Sequence, residues 1–214
     1  MLFGPLGFQV IGKFTKLVDT EEKMVQFKSR YGFPEDVHIL YVPYGDLALF
    51  QRQDLVLPIV AIVEGGVRIP MHPFLIQFLT HFRLSPLQCT PNVFRIVMGT
   101  AILMEKLVLN LTVNDITYVY SLQTTSKDQY TLVACNVDRK LVTGLPDSSK
   151  GRDEDFLVIT GNWQNPHINC PLIPGVPGFH CFMSFMQYIF ISFYLFWLSV
   201  SLLSLQTKSL LLRG

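Results

Sequence analysis

The sequence predicts an α+β fold: a helical core with a small antiparallel sheet, followed by a C-terminal hydrophobic helix. Three observations carry this expectation. Proline-started segments with apolar residues at helical spacing occupy residues 73–106, and short β-branched or aromatic runs lie on both sides of them. Residues 181–205, CFMSFMQYIFISFYLFWLSVSLLSL, hold no charge and a single amide, Gln187.

The elements follow in chain order. Residues 19–30 start like a helix: Asp19 or Thr20 can cap, and Glu21 and Glu22 suit the positive end of its dipole. Tyr31-Gly32-Phe33-Pro34 breaks it. VHILYV (37–42) reads as an extended segment closed by Pro43 and Gly45. LVLPIVAIV (55–63) is apolar, but Pro58 favours a loop leading into a helix over a central strand. Pro73 then suits a first helical turn, where its missing N–H costs nothing. Phe74, Leu75, Phe78, Leu79 and Phe82 form one apolar face behind it.

Ser85-Pro86 repeats the start signal, and so does Thr90-Pro91, which opens a helix through about Lys106 with Phe94, Val97, Ala101 and Met104 on a shared stripe. Thr112 with Asp115 resembles a capping box and predicts a third short helix, VNDITYVYSL. From Gln129 the period changes. YTLVAC, KLVTGL and DFLVIT read as two or three antiparallel strands, the last two joined by the turn-rich PDSSKGRDE. Residues 165–178 contain four prolines and two glycines and read as a linker or an unfolded stretch.

Charge is unevenly placed. All sixteen acidic residues and fifteen of the seventeen basic ones precede residue 179, leaving that part with one net negative charge. A near-neutral body argues against a phosphate-binding surface, which needs a basic patch. Cys89, Cys135, Cys170 and Cys181 lack zinc spacing and read as free thiols in a reducing compartment. Asn110-Leu111-Thr112 matches a glycosylation acceptor, which matters only in a secretory lumen. The apolar N-terminus lacks the basic region of a signal peptide.

Candidate chemistry is sparse. Gly144-Leu145-Pro146-Asp147-Ser148-Ser149-Lys150-Gly151 has the ingredients of a phosphate loop, but Lys150 precedes the second glycine, so a hairpin connector is expected. Asp153-Glu154-Asp155 lacks alternating ligands and reads as a solvated charge run at a strand start. His72 and His81 are nine apart, missing the spacing of a helical metal pair, and read as structural or surface residues. Arg68, Arg83 and Arg95 flank the helices and are expected to stabilise their ends and pair with acids. No nucleophile elbow and no catalytic Cys/His context stands out. The expectation is a non-enzyme with no catalytic, cofactor-binding or metal site.

Three blocks carry a resemblance: YGFPEDVHI, then IVAIVEGGVRIPMHPFLIQFLTHFRLSPLQCTPNVFRIVMG, then KLVTGLPDSSKGRDEDFLVITGNW. Together they resemble the family named "putative plant transposon protein", a domain near the N-terminus of plant gypsy-type retrotransposon proteins. The most specific parts are Gly66 to Phe74, Thr90-Pro91-Asn92 with Arg95-Ile96, and Gly161-Asn162-Trp163. The resemblance implies a gag-like structural module over residues 27–163 and carries over no active site. The aspartic-protease, reverse-transcriptase and Cys/His-knuckle signatures of such elements are missing from this sequence. The organisation then reads as an N-terminal extension (1–26), the transposon-like domain (27–163), a Pro/Gly linker (164–180), a transmembrane-like segment (181–205) and a short basic tail (206–214).

Two readings of 181–205 stay open. About 20 apolar residues suffice to span a bilayer, so its length fits a single-pass tail anchor. Yet Gly and Ala are absent, Tyr188, Tyr194 and Trp197 lie in its interior, and no Lys or Arg flanks it upstream. Every residue except Gln187 can come from a codon with U at its first or second position, as translation into a U-rich plant intron would give. Three functions are therefore carried: a non-enzymatic, retroelement-derived interaction domain that self-associates; a tail-anchored membrane protein with a cytosolic domain; and, third, a nucleic-acid-binding protein. Direct nucleic-acid contact and a small-molecule substrate are not expected. The location is a membrane if the segment is real, and otherwise the cytoplasm or nucleus. Full-length transcript sequencing across the codons for 160–214 separates the two: a spliced message removes the segment, and an unspliced one keeps it.

Overall fold

The computed structural model describes residues 13–43, 54–125, 129–146 and 155–172. All belong to the first of two compact units, Met1–Pro177 and Gly178–Gly214. The expected segment 181–205, the tail 206–214, Cys181 and the connector residues 147–154 lie outside the described residues, as does the linker beyond Leu172.

Helix α1 (Glu21–Tyr31) starts where the caps predict: Thr20 accepts the Lys23 N–H at 3.3 Å, and Gly32 ends the helix in the left-handed conformation at φ 69°. Strand β1 (Val37–Pro43) follows. Strand β2 (Leu55–Pro58) runs directly into α2 (Ile59–Val63), with Pro58 at its N-cap. The expected loop before that helix is thus a short strand. Pro58 is tolerated because β2 is an edge strand.

Helix α3 (Pro73–Phe82) buries the whole predicted face and Ile76 besides. Ser85-Pro86 starts only a single 3-10 turn (Pro86–Gln88), in which the Gln88 amide oxygen accepts the Ser85 N–H at 3.0 Å. Helix α4 (Pro91–Leu107) buries Phe94, Val97 and Ala101 and leaves Met104 half-buried. In α5 (Val113–Val119) the Asp115 carboxylate reaches back to accept the Thr112 N–H and hydroxyl, both at 2.7 Å.

Two expectations are corrected. The helix anticipated over VNDITYVYSL stops at Val119, and Tyr120–Thr124 forms strand β3. Tyr120 and Leu122 alternate with Ser121 and Gln123, so a period of two takes over where the apolar helical spacing ends. KLVTGL is not a strand: it follows a 3-10 turn (Val137–Arg139) as irregular chain, held to β3 where the Val142 N–H donates to the Tyr120 hydroxyl at 3.1 Å. YTLVAC and DFLVIT do form strands, β4 (Tyr130–Ala134) and β5 (Asp155–Gly161).

Neither pairs with the other. β4 forms an antiparallel hairpin with β3, and β5 lies between β1 and β2, antiparallel to both. Leu55 opposite Ile159 and Leu57 opposite Leu157 are fully buried on one face of the larger sheet. On its other face Val42, Val56 and Val158 cluster, covered by Leu87 and Phe156. Helices α2 and α3 pack on α4, whose 17 residues are the backbone of the helical layer. The architecture is α+β.

Gly65 is a close-approach point between layers. A Cβ there would stand 2.5 Å from the Ala61 carbonyl oxygen and 2.7 Å from the Phe94 Cβ, so the end of α2 touches α4 with no room for a methyl. Gly65→Ala is therefore expected to lower the unfolding free energy by about 1–3 kcal/mol, the usual range for overpacking, read as a shifted denaturant midpoint at unchanged slope.

Candidate functional site

Three features outside ordinary packing stand out: a buried carboxylate, a groove along β4, and an apolar helix end. The carboxylate is Asp155, at the start of β5 and 1 % exposed. It accepts the Phe14 N–H at 3.1 Å, the Thr15 hydroxyl at 3.2 Å and the Tyr41 hydroxyl at 2.7 Å. Of the Asp153-Glu154-Asp155 run, expected to be solvated, Asp155 is instead a buried acceptor; the other two lie outside the described residues. Burial lifts the Tyr41 phenol above its ordinary range, Thr15 opposes this, and the Asp155 carboxylate adds to the rise. Tyr41 therefore remains the donor. This cluster fastens residues 14–15 and β1 to the central strand.

The groove, of about 420 Å³, is bounded by Thr131 to Ala134 of β4, Asn92 and Ile96 of α4, and the chain from Val137 to Leu145. Its walls are pinned. The Asn92 side-chain amide donates to the Pro146 carbonyl at 3.1 Å, and Val142 Cγ2 lies 3.1 Å from where a Cβ on Gly99 would stand. The volume falls inside the range of about 300–1,000 Å³ typical of ligand sites. Gly144, at φ 69°, and Leu145 line it, so the beginning of the glycine-rich connector lies beside α4; Ser148, Ser149 and Lys150 are outside the described residues.

The apolar helix end is that of α4. Leu107, Val108 and Leu109 are 61 %, 91 % and 44 % exposed, and Ile102, one turn earlier, is exposed as well. Val108 holds φ 52°, a conformation that β-branched residues seldom adopt. Asn110, of the glycosylation-acceptor pattern, follows directly and is exposed.

The remaining singled-out residues serve local structure. His72 caps α3 by accepting the Phe74 N–H on Nδ1 at 3.1 Å, and its Nε2 faces Glu105 Oε1 at 3.2 Å. His81 meets the Phe82 ring edge-on. Arg68 donates to the Ile62 and Val67 carbonyls at 3.1 and 2.8 Å and lies over the Tyr31 ring. Arg83 is the left-handed residue that ends α3, at φ 55°. Arg95 donates to Asn92 Oδ1 at 2.7 Å and pairs with Glu64, which also pairs with Lys13. Burial raises the Glu64 carboxyl, but Lys13 and Arg95 together outweigh it and hold the group below the ordinary range.

Cys89 is buried and Cys135 exposed; burial pushes the Cys89 thiol up strongly and the Cys170 thiol up to about 12. No group of three His, Cys, Asp or Glu suited to a metal ion occurs among the described residues.

Residues 56–124 match a family model described as "Putative gypsy type transposon". No curated protein and no solved structure matches the chain. The matched span runs from β2 through β3 and contains all of α2 to α5; β1, β4 and β5 lie outside it. It contains the Gly66 to Phe74 and Thr90 to Ile96 blocks and stops short of Gly161-Asn162-Trp163.

Two outcomes follow. Asp155→Ala removes the acceptor of three donors and is expected to cost about 2–3 kcal/mol, against about 1 kcal/mol for Tyr41→Phe, both measured by chemical denaturation. The Glu64 carboxyl sits lower in the folded chain than in the unfolded one. Its contribution is therefore present above the unfolded pKa and is lost as pH falls through the folded one. Glu64→Gln should accordingly flatten the acid limb of a stability-versus-pH curve below about pH 4.5.

Proposed function

Residues 56–124 carry a gypsy-type transposon-related domain, and from that premise we propose that the chain is a non-enzymatic structural and interaction module of a retroelement-derived protein, whose partner is a second copy of itself. The observation that carries the reading is the apolar end of α4. Stability alone would place Gly or Asn at the left-handed position that closes a helix. Here Val108 occupies it, almost wholly exposed, between Leu107 and Leu109. A strained and solvated apolar triplet is a poor choice for an isolated domain and a good one for a contact. The charges support the same reading, since Arg68, Arg95 and Glu64 are spent on carbonyls, an aromatic ring and each other.

The tail-anchored alternative rests on residues 181–205, which lie outside the described residues. Among those described, no helix is long and apolar enough to cross a membrane. Nucleic-acid binding ranks third: the part of the chain before residue 179 carries one net negative charge, and Arg68 and Arg95 are already engaged with the fold.

The test is sedimentation equilibrium of the full chain in a density-matched non-ionic detergent, which shields the apolar 181–205 run. Concentration-dependent association is expected. Val108→Gly should weaken it about tenfold while raising the unfolding free energy by about 1 kcal/mol, because the left-handed strain is relieved. A chain that stays monomeric at every concentration would overturn the reading.

A further inference from the structure

The hairpin β3–β4 has a second edge that the fold begins to use and then abandons. Its pairing phase is fixed at both ends: Thr125 donates to the Gln129 carbonyl at 2.7 Å, and Cys135 donates to the Val119 carbonyl at 2.9 Å. Main-chain groups alternate in direction along a strand, so Gln129, Thr131, Val133 and Cys135 face β3. Tyr130, Leu132 and Ala134 then face the other way. Tyr130 confirms the phase, since its carbonyl accepts the Thr90 N–H at 2.9 Å in a parallel bridge with Cys89.

That bridge is the beginning of a third strand. It stops at once because the chain turns into α4 at Pro91. Among the described residues, none forms a backbone hydrogen bond with the outward groups of Leu132 and Ala134. Both residues border the groove, and the strand phase turns their donors and acceptors outward at two-residue spacing. Only another extended chain satisfies such a row throughout.

From this geometry we propose that the outer edge of β4 receives an extended segment of a partner polypeptide, in which apolar residues alternate and one residue carries a carboxylate. The inference rests on the reading of the chain as a protein-association module and assigns it a second, distinct contact. Ile96, Val142 and Leu145 supply apolar walls for alternate side chains of the segment. Among the described residues that line the groove Lys140 alone is charged, and it selects a carboxylate over an ammonium group. The pinned walls keep the slot open before anything enters: Val142 is held by Tyr120 and packed against Gly99, and Pro146 is held by Asn92. Preorganisation of this kind lowers the ordering cost of binding. A second copy fits the slot less well, because its own Val137 to Leu145 wall would travel with its β4 edge.

The test uses a phage-displayed octapeptide library on the full chain in non-ionic detergent, followed by titration of the enriched peptides and amide hydrogen exchange. Enriched peptides are expected to alternate apolar residues, to contain Asp or Glu, and to slow exchange at Leu132 and Ala134. Ala134→Pro removes an outward N–H and leaves the β3-facing groups intact, so it should weaken binding at least tenfold with an unchanged circular dichroism spectrum. Should that variant unfold, Lys140→Glu is decisive, since it lies outside the ladder and should reverse the charge preference of the peptides.

No enrichment, or enriched peptides that bind both variants as well as the parent chain, would overturn the proposal; Lys140 would then be a charge that guards the edge against pairing. Ala134→Pro abolishing self-association in the sedimentation assay would also overturn it, by making the occupant a second copy. A monomeric chain that still binds acidic peptides at β4 would sink the self-association reading and leave this one standing.

Discussion

The position of β5 is the constraint on which the rest depends. The last described strand lies between the first two, so the larger sheet closes only when residues 155–161 return to residues 37–43 and 55–58. Nothing local makes that closure; it is a long-range pairing that must offset a large loop entropy. Leu55 and Leu57 on β2 are fully buried opposite Ile159 and Leu157. Without β5, β2 has no strand partner among the described residues. Asp155 secures the return at its first residue by gathering donors from the 14–15 backbone turn and from β1 around one carboxylate. A buried carboxylate is costly unless it is hydrogen-bonded, and here three donors reach its two oxygens. Position is thereby specified as well as stability: a one-residue slip of β5 would leave the charge unpaired and turn every side chain to the wrong face.

The family match takes on a structural meaning in this light. Its span contains α2 to α5 with β2 and β3, but neither β1 nor β5. The matched part is therefore the half of the core built by local contacts, in which α3 and α4 bury Phe74, Phe78, Phe82 and Phe94. The strands that complete the sheet come from outside it. Only with β1 and β5, both outside the matched span, does the chain close its larger sheet.

Legibility in the sequence followed the range of the interaction. Helix boundaries were readable because caps are local: Thr20, Pro73, Pro91 and the Thr112 and Asp115 pair each start a helix within a residue or two of where the pattern points. The strands β1, β4 and β5 were readable as runs but not as partners, since pairing is a property of distant segments. KLVTGL carries β-rich residues yet forms no ladder; Val142 spends its N–H on the Tyr120 hydroxyl instead. The pattern VNDITYVYSL carries Tyr120 to Leu122 into a helix, because Asp115 begins one convincingly and nothing nearby stops it. Asp155 looked like a surface charge because its three neighbours in space are distant in sequence or precede α1. The groove had no sequence signature at all, since a free strand edge is defined by what fails to pair with it.

The ends of the three longer helices show how local chemistry separates fold from contact. Helix α1 ends on Gly32, which adopts φ 69° without steric cost, and its following N–H groups return to Ser29 and Lys28. Helix α3 ends on Arg83 at φ 55° with the same return of N–H groups, to Thr80 and Leu79. The strain there has a compensation: Leu84, immediately beyond, is fully buried, so tertiary packing fixes the turn. Helix α4 ends on Val108 at φ 52°, and the Leu109 N–H again reaches back, to Met104. Leu109 is exposed, however, and so are Leu107 and Val108. The first termination is inexpensive and the second is offset by burial. The third carries a left-handed penalty of about 1–2 kcal/mol with no packing inside the domain to offset it. A contact outside the domain would supply that compensation, and the end of α4 is the place in the described chain where local strain and exposed apolar surface coincide.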